Sequence, residues 1–454
     1  MFSAPAAFAY PTAYKTQGTG YAESVPNPIH AIREAGAATA SRLAAATRRN
    51  PRIRALLARA RESALKLRDD VVPVEIDKDL VFFASFSGRS VGGSPLAVFL
   101  ELANDGSRAD LRFVWAVRDR AEALRQHPYL DSPRVSLVQY GSRRCAAAMR
   151  RAGVWVSSTT LPEHIRLRPG QQYIQTWHGT PFKRLGRDIA GTSAGANGHD
   201  FARRYARDAA RMSILVSGSQ FTDRVFTTAF SLDTMGNERI LAHTGNPRND
   251  PLVRVADATP AQARAARDAA RAKLGLPRDG ALVLYAPTWR DDMPATSRGY
   301  RFTVPLDVKA LRAAWGNDVS FIFRAHYLMA AAWDLDGLEG IVYDRSAADD
   351  VNDVMVAADA LITDYSSIFF DYALLQRPMY FFAPDLQHYA QVSRGLYFPP
   401  EQLPGPVATT MDELASCTAP DQAGRTDTSA FTREFATYER GTASRQIIER
   451  VWPR

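Results

Sequence analysis

From residue 80 onward the chain alternates short apolar runs with amphipathic stretches. Val81–Phe86, Arg112–Val117, Val135–Val138, Val154–Ser157, Tyr173–Trp177 and Ile214–Ser217 have the length and the β-branched or aromatic content of buried strands. Between them, Pro95–Ala103 and Ser142–Arg151 repeat their apolar positions at helical spacing. Ser94 is predicted as an N-cap, with Pro95 as first helical residue. The turn-rich segment Thr244–Asp250 interrupts the pattern, which then restarts. Pro260–Leu274 predicts a helix behind a Thr259 cap, followed by strands at Leu282–Ala286, Phe321–Phe323, Ile341–Tyr343, Ala360–Thr363 and Met379–Phe382. Asp307–Ala314, Asp350–Ala358 and Ser366–Gln376 predict helices, and Thr428–Val451 reads as one long helix. Such alternation predicts parallel sheets with helices on both faces. The expected α/β fold has two Rossmann-like domains, residues 76–245 and 246–425, facing a central cleft, and then a C-terminal helix, 426–454. In open α/β sheets ligands bind beyond the carboxyl ends of the strands, so each domain is expected to bring one ligand to the cleft.

Composition narrows the function classes. The chain has 454 residues, 46% hydrophobic and 23% charged, which suits a globular protein with a buried core. No apolar run approaches the ~18 residues of a membrane span. Cys145 and Cys417 are the only cysteines, which excludes a disulfide scaffold and a cysteine-based zinc site. The first ten residues lack the basic and long apolar regions of a signal peptide.

The formal net charge is +8, and its position matters more than its size. Residues 31–70 hold ten basic and four acidic side chains, a net +6, which leaves +2 for all the rest. Within that segment Ile53, Leu56, Leu57, Ala60, Ala64 and Leu67 form an apolar stripe at 100° per residue, flanked by Arg52, Arg59 and Lys66 on one side and by Arg54, Arg61 and Arg68 on the other. Residues 31–75 therefore read as a basic amphipathic helical segment, for an anionic membrane surface or for packing on the protein itself. Residues 1–30 read as a disordered leader. The confinement of the charge and the lack of interleaved aromatic residues argue against a nucleic-acid partner.

Four segments place chemistry at predicted strand ends. Gln175–Asp188 carries His178, a candidate general base. Gly179 and Thr180 follow it, and then Lys183, Arg184 and Arg187, cations suited to a phosphorylated ligand. Tyr285–Asp292 carries Arg290, which could fork onto a phosphate or pair with its acidic neighbours. Phe323–His326 puts Arg324 and His326 on one side of a strand end, either as a pyrophosphate clamp or as a satisfied edge pair. Leu361–Asp371 carries Thr363, Asp364, Ser366 and Ser367 where a strand gives way to a helix N-terminus, a ready anion site as well as an ordinary cap. Ser87–Ser94 is a Gly-rich loop without P-loop spacing; it could touch an acceptor phosphate, but it reads first as a flexible turn. The remaining histidines have no metal-ligand spacing, Asp334-Leu-Asp336 resembles a metal-binding D-x-D but reads as surface, and no cofactor is expected.

Taken together, Thr176–Lys183, Gly245–Asp250, Ala286–Arg290, Arg324–His326, Thr363–Ser367, Arg394–Phe398 and Leu403–Pro406 resemble, in order and spacing, the CDP-glycerol glycerophosphotransferase family of teichoic acid primases and polymerases. The resemblance covers roughly residues 80–430 and implies a GT-B-like fold, with an acceptor domain first and a donor domain second. It implies transfer of glycerol phosphate from CDP-glycerol to a hydroxyl of a lipid-linked polyol-phosphate or glycan acceptor, or of a growing teichoic acid or capsule-type polymer, with release of CMP at the cytoplasmic face of the membrane. His178 would be the base, Arg324 and His326 would hold the donor pyrophosphate, and Thr363, Ser366 and Ser367 its phosphates. The alternatives are transfer of ribitol phosphate or of a nucleotide sugar, and a non-catalytic, membrane-associated nucleotide-binding protein.

Overall fold

The computed structural model describes residues 74–189, 198–288, 306–324, 337–346, 350–386, 395–424 and 426–453, with the side chains of 198 and 199 left aside. The leader, nearly all of the basic segment, Arg290 and His326 lie outside the described residues.

The predicted strands form two parallel sheets. The first contains β1 (Asp77–Ala84), β2 (Arg112–Val117), β3 (Val135–Gln139), β4 (Ala152–Ser157), β5 (Gln172–Gln175), β6 (Ile214–Ser217) and β7 (Leu241–His243), in the order β3-β2-β1-β4-β5-β6-β7. The second contains β8 (Ala281–Ala286), β9 (Val319–Phe323), β10 (Val342–Asp344), β11 (Ala360–Thr363), β12 (Met379–Phe382) and β13 (Val407–Ala408), in the order β10-β9-β8-β11-β12-β13. Each sheet runs outward from its first strand and then resumes on that strand's other side. The strand order therefore reverses between β1 and β4 and again between β8 and β11, the two places where such sheets open a crevice.

These strands are apolar throughout because both faces are covered: every residue of β4, β8, β9, β11 and β12 is buried. Outer faces pack separately, Phe83, Trp115 and Val156 in one cluster, Val283, Phe321 and Ile362 in another. The remaining faces of both sheets join one continuous core that runs from Phe82, Trp155 and Tyr173 to Leu284, Leu361 and Phe381. Aromatic rings carry it across. Phe182, from the first half, meets Phe369 at 5.2 Å and Phe398 at 4.9 Å, and Phe221 meets Phe435 at 4.8 Å.

Local signals held where hydrogen bonds could satisfy them nearby. Ser142 caps Arg143–Arg151 by accepting from Cys145 N, and Thr259 with Gln262 forms a capping box on Pro260–Lys273. Four readings change. The helix expected to start at Pro95 begins at Gly93, and Ser94 Oγ instead accepts from Arg248 N at 3.4 Å. The first strand ends at Ala84, because Phe86 and Ser87 turn left-handed (φ 46° and 56°). Ser366–Gln376 is a single short helix, Ile368–Tyr372, followed by a 3-10 turn. The long C-terminal helix is in fact two, Ser429–Phe435 and Ala443–Val451. The second of these packs Ile447, Ile448 and Val451 into the outer core of the first sheet.

Candidate active site

His178 follows β5 beside the first switch point. The backbone turns sharply there: Trp177 has φ 52°, a left-handed conformation that is costly for a bulky residue. Three contacts hold it. Gln175 Oε1 accepts from Trp177 N at 2.9 Å. Thr176 Oγ1 donates to Trp177 O at 3.0 Å. The indole itself is buried among Tyr205, Phe226 and Phe230. The turn delivers His178 half-buried between the Trp177 ring, 4.3 Å away, and Phe86, 6.2 Å away.

The imidazole Nδ1 lies 2.8 Å from the Ser158 carbonyl. A carbonyl only accepts, so Nδ1 carries the hydrogen and Nε2 carries the lone pair. Burial, opposed by the Ser158 bond and reinforced by the Arg248 cation, lowers the His178 pKa to about 4. Near neutral pH this is an unprotonated ring with an available base nitrogen.

Arg248 was read from sequence as part of a turn-rich break and of the Gly245–Asp250 motif, with no role of its own. The structure makes it the junction of the two halves. Its Nη1 donates to His178 O at 2.6 Å, its Nη2 pairs with Asp371, and its own carbonyl accepts from Asn352 Nδ2 at 2.6 Å. The ion-paired side chains are 11% and 4% exposed. Gly179 makes room for this guanidinium: it has φ 139°, and a Cβ there would lie 2.5 Å from Arg248 Nη2. Asn249 Nδ2 bridges Asp371 Oδ1 and Glu439 Oε1, each at 3.1 Å, and Glu439 also accepts from Asn246 N and Nδ2. Burial pushes the Glu439 carboxyl up to about 8, and the nearby Asp371 adds to the rise.

The second switch point has a different character. Thr363 Oγ1 donates to Ala286 O at 2.7 Å and is fully buried, which ties β11 to β8. Asp364 accepts from Thr288 N at 2.8 and 3.0 Å and from Tyr365 N at 2.6 Å. These two residues hold the loop. Ser366 and Ser367 are both half-buried at the turn that follows. Arg324 closes β9, its Nη1 donating to Arg345 O at 3.0 Å.

The predicted acceptor cations divide. Thr180 is buried beside His178. Phe182–Leu185 runs antiparallel to Gly395–Tyr397: Lys183 bridges Leu396, Arg184 N donates to Gly395 O at 3.0 Å, and the Arg184 guanidinium lies 5.6 Å over the Tyr397 ring. Tyr397 OH accepts from Leu185 N and donates to Asp188 Oδ2 at 2.7 Å, locking this crossing strand. Arg187 turns away and pairs with Asp233 at 2.5 Å. Among the described residues no cluster of three or more His, Cys, Asp or Glu is placed to hold a metal.

Two sheets of Rossmann-like strand order, with His178 beside one switch point and a hydroxyl-bearing turn at the other, define a two-domain α/β protein of GT-B-like architecture. Residues 68–453 match the family model described as CDP-Glycerol:Poly(glycerophosphate) glycerophosphotransferase. The chain belongs to that family. It is 33% identical over 383 residues to the teichoic acid poly(glycerol phosphate) polymerase of Bacillus subtilis (strain 168), covering 83% of this chain and 49% of that one. It thus spans about half the length of that relative. With the teichoic acid glycerol-phosphate transferase of Staphylococcus aureus (strain NCTC 8325 / PS 47) it shares 32% identity over 383 residues, covering 83% of this chain and 93% of that one. A solved structure of the wall teichoic acid polymerase TagF superimposes with TM-score 0.74 at 30% identity, covering 87% of this chain and 94% of that one. A TagF variant soaked with CDPG gives 0.73 at 31% identity over the same coverage.

Proposed function

We propose that the protein transfers glycerol phosphate from CDP-glycerol to a terminal hydroxyl of a lipid-linked or growing teichoic-acid-type acceptor. The acceptor oxygen forms a bond to the glycerol-bearing phosphorus as the bond from that phosphorus to CMP breaks. The hydroxyl proton passes to His178 Nε2, and CMP leaves. The observation that carries this reading is the tautomer fixed by Ser158, which leaves Nε2 unprotonated at neutral pH. A pKa near 4 makes a weak base, but it suffices where the phosphoryl group is transferred through a loose transition state and the proton departs late. Arg290, Arg324, His326, Ser366 and Ser367 would neutralise the donor phosphates, with Thr363 and Asp364 holding their loop. Gly179, Thr180, Lys183 and Arg184 would border the acceptor.

Glycerol is favoured over ribitol by similarity. Identity to the poly(glycerol phosphate) polymerase of Bacillus subtilis is 33%, against 25% over 289 residues for the poly(ribitol-phosphate) polymerase of Bacillus spizizenii (strain ATCC 23059 / NRRL B-14472 / W23). The expected result is acceptor-dependent CMP release from CDP-glycerol that clearly exceeds release from CDP-ribitol. Equal or faster release from CDP-ribitol would reverse the substrate assignment.

The basic stripe of residues 31–70 supports a peripheral site at the cytoplasmic membrane face. No described helix is long and apolar enough to cross a membrane. In flotation with anionic liposomes, the full chain is expected to rise and a chain starting at residue 75 to stay behind. Equal flotation would remove the membrane role from that segment.

A further inference from the structure

The carboxyl edge of the first sheet carries a second cationic feature, apart from the cations that sequence singled out. Arg89 follows β1, Arg118 and Arg120 follow β2, and Arg143 and Arg144 follow β3; all five are exposed. Because β1, β2 and β3 are parallel neighbours, these loops emerge on one edge, about 5 Å apart from strand to strand.

The row starts at the base. Phe86 lies against His178, and Ser87 O, the next carbonyl, accepts from Arg118 Nε at 3.1 Å. Arg118 N donates to Gly88 O at 2.7 Å, and Tyr140 N donates to Val117 O at 2.8 Å, so the three loops are stitched together. The Tyr140 phenol, pushed up by burial, is pulled down by Ser87, Arg118 and Arg89, as befits a group lying among them.

The acids on these loops are already engaged. Asp119 caps its helix by accepting from Glu122 N, and Glu122 pairs with Arg125. The side chains of Arg143 and Arg144 make no hydrogen bond or ion pair among the described residues. Outside residues 31–70 the chain has a net charge of only +2, so five arginines on one edge are a local concentration, not a general property of the surface. The cations predicted for the acceptor are meanwhile partly committed, Arg187 to Asp233 and Arg184 to Tyr397.

We infer that Arg89, Arg118, Arg143 and Arg144 form a docking track for a polyanionic acceptor, a chain of polyol phosphates whose terminal hydroxyl reaches His178. The inference rests on the transferase reading and adds where the acceptor lies. Guanidinium groups suit phosphodiesters through paired N–H donors. Spacing the cations in a row that leads away from one catalytic nitrogen suits a linear polymer better than a lipid surface.

The test uses the full chain and its Arg118→Ala/Arg143→Ala/Arg144→Ala variant, with synthetic glycerol phosphate oligomers of increasing length as acceptors. In the unaltered protein the acceptor KM is expected to fall as the oligomer lengthens. In the variant this dependence disappears: KM for the longest oligomer rises by about tenfold or more, while KM for CDP-glycerol and for the shortest acceptor stays within about twofold. Added salt should weaken only the unaltered protein's preference for length. A variant that keeps its length dependence overturns the track. A variant that keeps it but loses anionic liposome binding assigns the row to lipid, which also overturns it. Anisotropy of a labelled glycerol phosphate oligomer reads the same contrast without turnover. If the unaltered protein releases no CMP, the transferase reading fails, while tight oligomer binding that the variant loses would still stand.

Discussion

Replacing His178 with alanine is expected to lower CMP release by about 100- to 10,000-fold, the range for loss of a positioned base, while KM for CDP-glycerol changes little. The pH profile is the sharper readout. In kcat/KM the acid limb reports the free protein, so it is expected near pH 4 and not near the 6.5 of an ordinary imidazole. In kcat the limb should lie higher, because a bound anionic donor favours the imidazolium. An acid limb of kcat/KM at 6.5 would remove His178 as the base. The same depression links folding to pH. The unfolded chain takes up this proton at 6.5 and the folded chain at about 4, so the contribution is complete above 6.5 and is lost as pH falls through 4. The alanine variant should lose that part of the acid sensitivity, read by urea denaturation across the window.

Arg248→Met has the largest expected effect on stability, because it strands Asp371, whose side chain is 4% exposed, with Asn249 as its remaining side-chain donor among the described residues. Breaking a buried pair from one side costs about 3–5 kcal/mol, which urea unfolding should show. Adding Asp371→Leu removes the stranded charge and should restore most of that stability. It should not restore rate, because nothing then donates to His178 O from the second half. A double variant that regains both stability and full activity would confine Arg248 to a structural role. Since the Arg248 cation also helps depress His178, its loss should move the acid limb upward. Among the described residues Arg248 is the one ionised group that lowers that pKa, and the ring otherwise meets the Ser158 carbonyl and the rings of Trp177 and Phe86.

Much of the fold was legible because parallel strands buried on both faces leave uninterrupted apolar runs. Val81–Ala84, Ala152–Ser157 and Ala281–Ala286 could hardly be solvent-facing. What escaped was short or non-local. Leu241–His243 and Val407–Ala408 are too brief to carry a period. The break between Phe435 and Ala443 is a tertiary effect: Glu439 is drawn into the Asn246 and Asn249 amides, and Gly441 supplies a left-handed φ of 69°. No helical propensity in that stretch reveals partners almost two hundred positions away.

The site was legible to the same degree. His178 and its glycine stood out because a strand ended on them. Arg248 did not, since its partner Asp371 is separated by 123 positions. Asp364 sat in the loop picked out by sequence, and only geometry shows that its carboxylate holds the Thr288 and Tyr365 amides. The loop after β1 read as flexible because it is rich in glycine; it is instead fixed by Ser158 Oγ on Phe86 N and by Thr159 Oγ1 on Ser87 N.

The return of Ala443–Val451 to the first sheet has a consequence for synthesis. Asp250 caps that helix by accepting from Ala443 N and Ser444 N, and Ile447, Ile448 and Val451 cover apolar residues contributed by β1, β2 and β4. On the ribosome those strands emerge early and their cover emerges only after the whole second half. The nascent first half therefore waits with an open apolar face, exposed to chaperones and to aggregation, and cannot finish folding before its neighbour has been made.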